Sequence, residues 1–164
     1  SFAAARTSLE RAAQSNSNQK DIAEALRLRL NMARADLYQG KTVAAAKNLK
    51  EIAASAEKVG LLSVSLLANF YYGQALAESR SYAQARSILE TVLRKVQDSG
   101  MKSLLPQTHY WLAIALRGSG QRAEADGHLQ LARKALQDMR AESHSDDITK
   151  RVDLKPIPSE SGQS

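Results

Sequence analysis

Residues 81–92 read SYAQARSILETV, and related strings stand forty residues to either side: KTVAAAKNLKEI at 41–52 and QRAEADGHLQLA at 121–132. SFAAARTSLERA at 1–12 is a fourth copy. Aligned, they give one column of Ala5, Ala45, Ala85 and Ala125, and a second of Leu9, Leu49, Leu89 and Leu129. A third column holds Ala12, Ile52, Val92 and Ala132, and a fourth Ala3, Val43, Ala83 and Ala123. The first three are spaced i, i+4 and i+7, which is one face of a helix. A repeat of this length marks stacked supersecondary units, none of which can bury its apolar face without a neighbour.

Working outward, each unit divides into two helices. The copies above predict helices over 2–14, 41–58, 81–98 and 121–141, and the stretches between them predict helices over 20–39, 61–79 and 102–119. Gly40 and Gly120 share a column in which Arg80 stands between them, at the turn inside each unit, where positive φ costs Gly nothing. Gly60 and Gly100 sit where a left-handed C-terminal cap is wanted. Ser15-Asn16-Ser17-Asn18 reads as a break between the first two helices. Pro106 falls in the first turn of its helix, where the missing N–H does little harm. No segment alternates with period two, so no sheet is expected. The expected fold is all-α: a right-handed superhelical stack of antiparallel helix pairs with seven repeat helices.

The helical repeat domain is expected over 1–141, with 142–164 as a cap and tail. Residues 146–152, acidic at the start and basic near the end, can make a short helix whose Ile148 and Val152 cover the end of the stack. Lys155-Pro156-Ile157-Pro158 and the following Ser-rich residues read as an extended or flexible tail.

The chain has 164 residues, 43% of them hydrophobic, enough for one domain with a continuous core. No apolar run approaches the roughly 20 residues needed to span a bilayer, and membrane insertion is not expected. The first residues lack the pattern of a secretory signal. They match the second half of a unit and do not begin with Met, so a fragment of a longer chain, cytoplasmic in setting, is expected. There is no Cys, which excludes disulfides, thiolate metal sites and Cys nucleophiles. The net charge is +6, with basic residues spread along the chain as a solvated helical surface requires. That excess also permits acidic peptides or nucleic acid as partners.

Chemistry is sparsely signalled. Gln39-Gly40-Lys41-Thr42 imitates the end of a phosphate loop, but Ala35 stands where the leading Gly is needed and no strand precedes it. His109, His128 and His144 are the three histidines, and none has a second ligand at metal spacing on its own face, so no metal is expected. Nothing resembles a nucleophile elbow or an oriented triad. An enzyme is not expected, nor a cofactor.

The chain resembles the tetratricopeptide repeat family. The middle unit carries the resemblance in Tyr72-Gly73, Leu76, Tyr82, Ala85, Leu89 and Val92. The last unit carries it in Leu112-Ala113, Leu116, Gly120, Ala125, Leu129 and Ala132, and the first in Met32-Ala33, Gly40, Ala45, Leu49 and Ile52. The family's usual unit is about 34 residues, so this is a long-helix variant. Arg29, Asn69 and His109 replace a large aromatic, and Asp36 stands in the column of Leu76 and Leu116. The resemblance implies that the first helix of each unit lines a concave groove. It assigns peptide contacts to Arg27, Asn31, Arg34 and Tyr38, to Phe70, Tyr71, Gln74 and Glu78, and to Gln107, Tyr110, Trp111 and Arg117. Aromatic and Arg side chains are what binding hot spots are commonly made of. The family's basic clamp for C-terminal carboxylates is not reproduced, since Leu30 and Arg34 occupy its leading positions. The function implied is a protein-interaction module that binds a peptide or partner helix in its concave groove, as a C-terminal scaffold or sensor segment of a larger regulatory protein. The alternative is a nucleic-acid-associated regulatory segment that uses the positive charge. Residues 2–14, without their first-helix partner, can also support a dimer through that end.

Overall fold

The structure, a computed structural model, describes residues 2–143 and residue 157, with side chains from 18 to 142 and at 157. Among the described residues there are six α-helices and no strand. They are α1 (Phe2–Tyr38), α2 (Thr42–Lys58), α3 (Leu62–Glu78), α4 (Tyr82–Ser99), α5 (Leu105–Gly118) and α6 (Arg122–Ser143). A 3-10 turn, Lys102–Leu104, leads into α5, and Pro106 sits in the first turn of α5 as its chemistry demands.

One expectation is corrected. The break at Ser15–Asn18 does not form, and the two helices expected over 2–14 and 20–39 are the single 37-residue α1. No Gly or Pro lies between Phe2 and Tyr38. Ser and Asn each cost a helix only about half a kcal/mol relative to Ala, which flanking turns outweigh. The cap expected over 146–152 lies outside the described residues.

Each remaining boundary has a local cause. Lys41 N–H donates to the Asp36 carbonyl at 2.9 Å, Ser81 to Leu76 at 2.8 Å, and Gln121 to Leu116 at 2.9 Å. These are the six-to-one bonds of a Schellman ending, and they need a left-handed residue just before the donor. Gly40 (φ 78°), Arg80 (φ 62°) and Gly120 (φ 83°) supply it. Arg80 does so against its own sterics, because its Cβ disfavours that region.

The repeated columns become the core. Ala45, Leu49, Ile52, Ala85, Leu89 and Ala125 are wholly buried, and Leu129 is partly buried against them. Helices pack in sequence order, each on the next. In addition α1 touches α3 and α3 touches α5, whereas no comparable contact links α2 to α4 or α4 to α6 among the described residues. The first helices of the units therefore form a contacting row, which we call the inner row, and the second helices flank it. At the far end Ile157 is 5% exposed and packs with Ala132 and Leu136 of α6 and Tyr110 of α5.

Candidate interaction surface

The inner row brings together only part of the expected contact set. Arg27, Asn31 and Arg34 are exposed on α1, and Tyr38 is half exposed at its end. The Arg34 guanidinium lies 5.9 Å from the centre of the Tyr71 ring, a cation–π contact that joins α1 to α3. Tyr71 is otherwise buried and meets Phe70 edge-on at 5.0 Å. One turn on, Gln74 is also buried, at 5% exposed, and offers a ligand little surface of its own; its amide donates to the exposed Glu78 carboxylate at 2.9 Å. Trp111 on α5 is half buried, in the same column as Asn31 and Tyr71.

Four of the expected contacts stand elsewhere. Phe70 and Gln107 are each 1% exposed and belong to the core, so they present no surface to a ligand. Tyr110 shares the column of Leu30 and Phe70, both buried, and turns to the end of the stack, where it packs on Ile157. Its ring meets Trp111 edge-on at 5.2 Å, and burial pushes its hydroxyl pKa up. Arg117 shares the column of Leu37 and Ala77 and donates to Asp126 on α6 at 2.6 Å. Tyr110 and Arg117 are thus engaged by Ile157 and by α6. Two apolar residues on these columns were missed, Leu67 in the column of Arg27 and Ile114 in that of Arg34 and Gln74, both half buried. Their signal was the same forty-residue column, overlooked because neither is aromatic or charged.

A concavity lies between α3 and α4. One lobe of about 520 Å³ is lined by Leu62, Leu66, Lys95 and Met101. An adjoining lobe of about 290 Å³ includes Asn69, Ile88 and Thr91, and the two share Leu66 and Lys95. Lys95 pairs with Glu57 of α2 at 3.8 Å, with both side chains half exposed, so the pair contributes little to stability.

Sequence reasoning also missed one polar pairing. His109 and His128, nineteen residues apart, meet where α5 packs on α6, with Nδ1 atoms 2.9 Å apart and rings stacked at 5.1 Å. They occupy the columns of Asn69 and Ile88. Burial first, then the neighbouring His128, lowers the His109 pKa to about 4. Burial and Arg86 lower that of His128, while Glu124 and Glu90 oppose them. Among the described residues no group of three or more side chains is arranged to hold a metal ion. No helix there is long and apolar enough to cross a membrane. No family model matches the chain, and no match is found among curated proteins or solved structures.

Proposed function

We propose that the inner row is a docking groove for a peptide or partner helix, and that the protein is an interaction module within a larger regulatory assembly. In this reading the stack is a right-handed solenoid of the tetratricopeptide type, and no chemistry is performed. The observation that carries it is the Arg34–Tyr71 contact, with half-buried Trp111 in the same repeat column as Tyr71. An Arg held on an aromatic ring at the edge of an apolar surface is preordered, so a ligand that meets it need not order it. The exposed Arg27 and Arg34 favour an acidic ligand through electrostatic steering. The basic residues are spread along the sequence rather than grouped in one block, whereas a nucleic-acid reading would want them clustered.

A phage-displayed library of twelve-residue peptides, selected on the whole chain, tests this. Enriched peptides should be acidic with one or two apolar anchors, and Arg34→Glu should weaken them on the order of tenfold or more. Lys95→Glu, in the other concavity, should leave them unchanged. Peptides indifferent to Arg34 but lost with Lys95 would place the docking site between α3 and α4 instead.

A further inference from the structure

The stack has two ends, and each carries one half of the interface that joins its units. At the leading end α1 exposes Ala25, Leu28, Met32 and Ala35, with Leu28 62% and Met32 61% exposed. The same columns hold Ser65, Ala68, Tyr72 and Ala75 in α3, and Leu105, Thr108, Leu112 and Ala115 in α5. Tyr72 and Leu105 are half buried and the rest are buried, and α3 and α5 each pack on the helix before them. Among the described residues no helix stands before α1.

At the trailing end Tyr110, Ala132 and Leu136 stand in the columns of Phe70, Val92 and Val96, each 1% exposed where α5 follows α4. After α6 the described cover on these positions is the side chain of Ile157. It stands where the first helix of a further unit would pack. We propose that the protein associates head to tail, α1 of one copy packing on α6 of another as α3 packs on α2, with Ile157 displaced.

The register joins the two ends. In an antiparallel helix pair, residues equidistant from the turn lie side by side. Gly118 and Tyr82, equidistant from Gly100, obey this: a Cβ at Gly118 would run into the Tyr82 ring. The same rule sets Ile52 beside Ala68 and Ala45 beside Ala75, all four wholly buried. Carried to the junction, it sets Ala132 of one copy beside Leu28 of the next, and Ala125 beside Ala35. Relative to Ile52 and Ala68 the large and small residues have changed places, which keeps the volume of the pair.

Charge and helix length agree with this register. Asp21 and Glu24 of the leading face fall along Arg133 and Arg140 of α6. Arg86 of α4 reaches Gln121 before α6 at 2.6 Å, and the same step carries Asp126 to Lys41 of the next copy. Lys20 and Arg140 stand in the column of Gly60 and Gly100, yet α1 and α6 run straight through it, so the two helices can continue side by side. The contact is heterologous and therefore builds rows of copies rather than a closed dimer.

Sedimentation velocity on the full chain should show a mass that rises with concentration past the dimer. Ile157→Asp, which clears the trailing face, should lower the apparent dissociation constant about tenfold or more. Leu28→Glu/Met32→Glu should abolish association at the same concentrations, with helix content from circular dichroism kept. The chain has no Cys, so the register can be read by cross-linking. Arg122→Cys and Tyr38→Cys lie in the columns of Tyr82 and Gly118. A short bis-maleimide should join the two variants to each other in a mixture, and neither to itself. Chains carrying both substitutions should give a ladder of dimer, trimer and longer species. A monomer at all concentrations, with Ile157→Asp included, would overturn the proposal. So would a ladder that stops at the dimer, since the exposed faces of α1 would then meet each other directly.

Discussion

His109 and His128 face each other between α5 and α6 with Nδ1 atoms 2.9 Å apart, although each is flanked by helix positions that gave no sign of a partner. A hydrogen bond between two Nδ1 atoms requires one ring to donate and the other to accept, so at least one imidazole is neutral. Arg86 and Glu90 from α4 and Glu124 from α6 face the pair from outside. Arg86 is itself held by Glu90 at 2.7 Å and Glu124 at 3.7 Å.

This pairing makes stability depend on pH in a stated direction. The unfolded chain takes up the His109 proton near 6.5, whereas the folded chain resists it until about 4. Between those values the unfolded state binds more protons, so stability is full above about 6.5 and falls as pH drops toward 4. Melting temperatures measured over this range should decline, and His109→Asn/His128→Ile should flatten the decline. That double variant installs the Asn69 and Ile88 of the middle unit, where the Asn amide bonds back to the Ser65 carbonyl at 3.0 Å. An unchanged pH profile in the variant would remove the pair from the account.

The middle of the stack depends on one close approach. Leu89 is wholly buried, and a Cβ added at Gly73 would stand 2.7 Å from its side chain. Leu89→Ala is expected to cost about 2–5 kcal/mol. Gly73→Ala should also destabilise, through overpacking, by about 1–3 kcal/mol. Because the two share one volume, the double variant should be more stable than the sum of the singles implies. Denaturant unfolding of all three variants checks this, and strict additivity would mean that the two residues do not touch.

Ile157 tests the far end. With its side chain buried against Tyr110, Ala132 and Leu136, Ile157→Asp should destabilise by about 1–3 kcal/mol, the cost of placing a polar group in an apolar site. Trp111 is the chain's one tryptophan and lies against Tyr110, so its emission should shift with the variant. An emission spectrum and a melting curve both identical to the parent's would show that the end of the stack is covered otherwise.

Much of the fold was legible because the repeat carries it. Each column is sampled in three or four units, and the helix ends at Tyr38, Glu78 and Gly118 follow from the turn residues two places on. The missing break at Ser15–Asn18 was not legible, since polar residues of middling propensity permit a turn without requiring one. The contact set was read less well. Column position told which helix face a residue belongs to, but not what packs on it. Tyr110 packs on Ile157, Arg117 pairs with Asp126 of α6, and Phe70 in the middle unit becomes core. The histidine pair escaped because its partners lie on different helices, and spacing along one helix cannot show it.

The most direct test of the docking groove is where a bound peptide sits. Because the chain lacks Cys, a photoreactive label can be placed at Asn31→Cys on the inner row, or at Thr91→Cys in the cleft between α3 and α4. A library-selected peptide should cross-link to the label at Asn31 and not to that at Thr91, with mass spectrometry locating the adduct. Cross-linking at Thr91 alone would contradict the claim that the inner row is the binding surface.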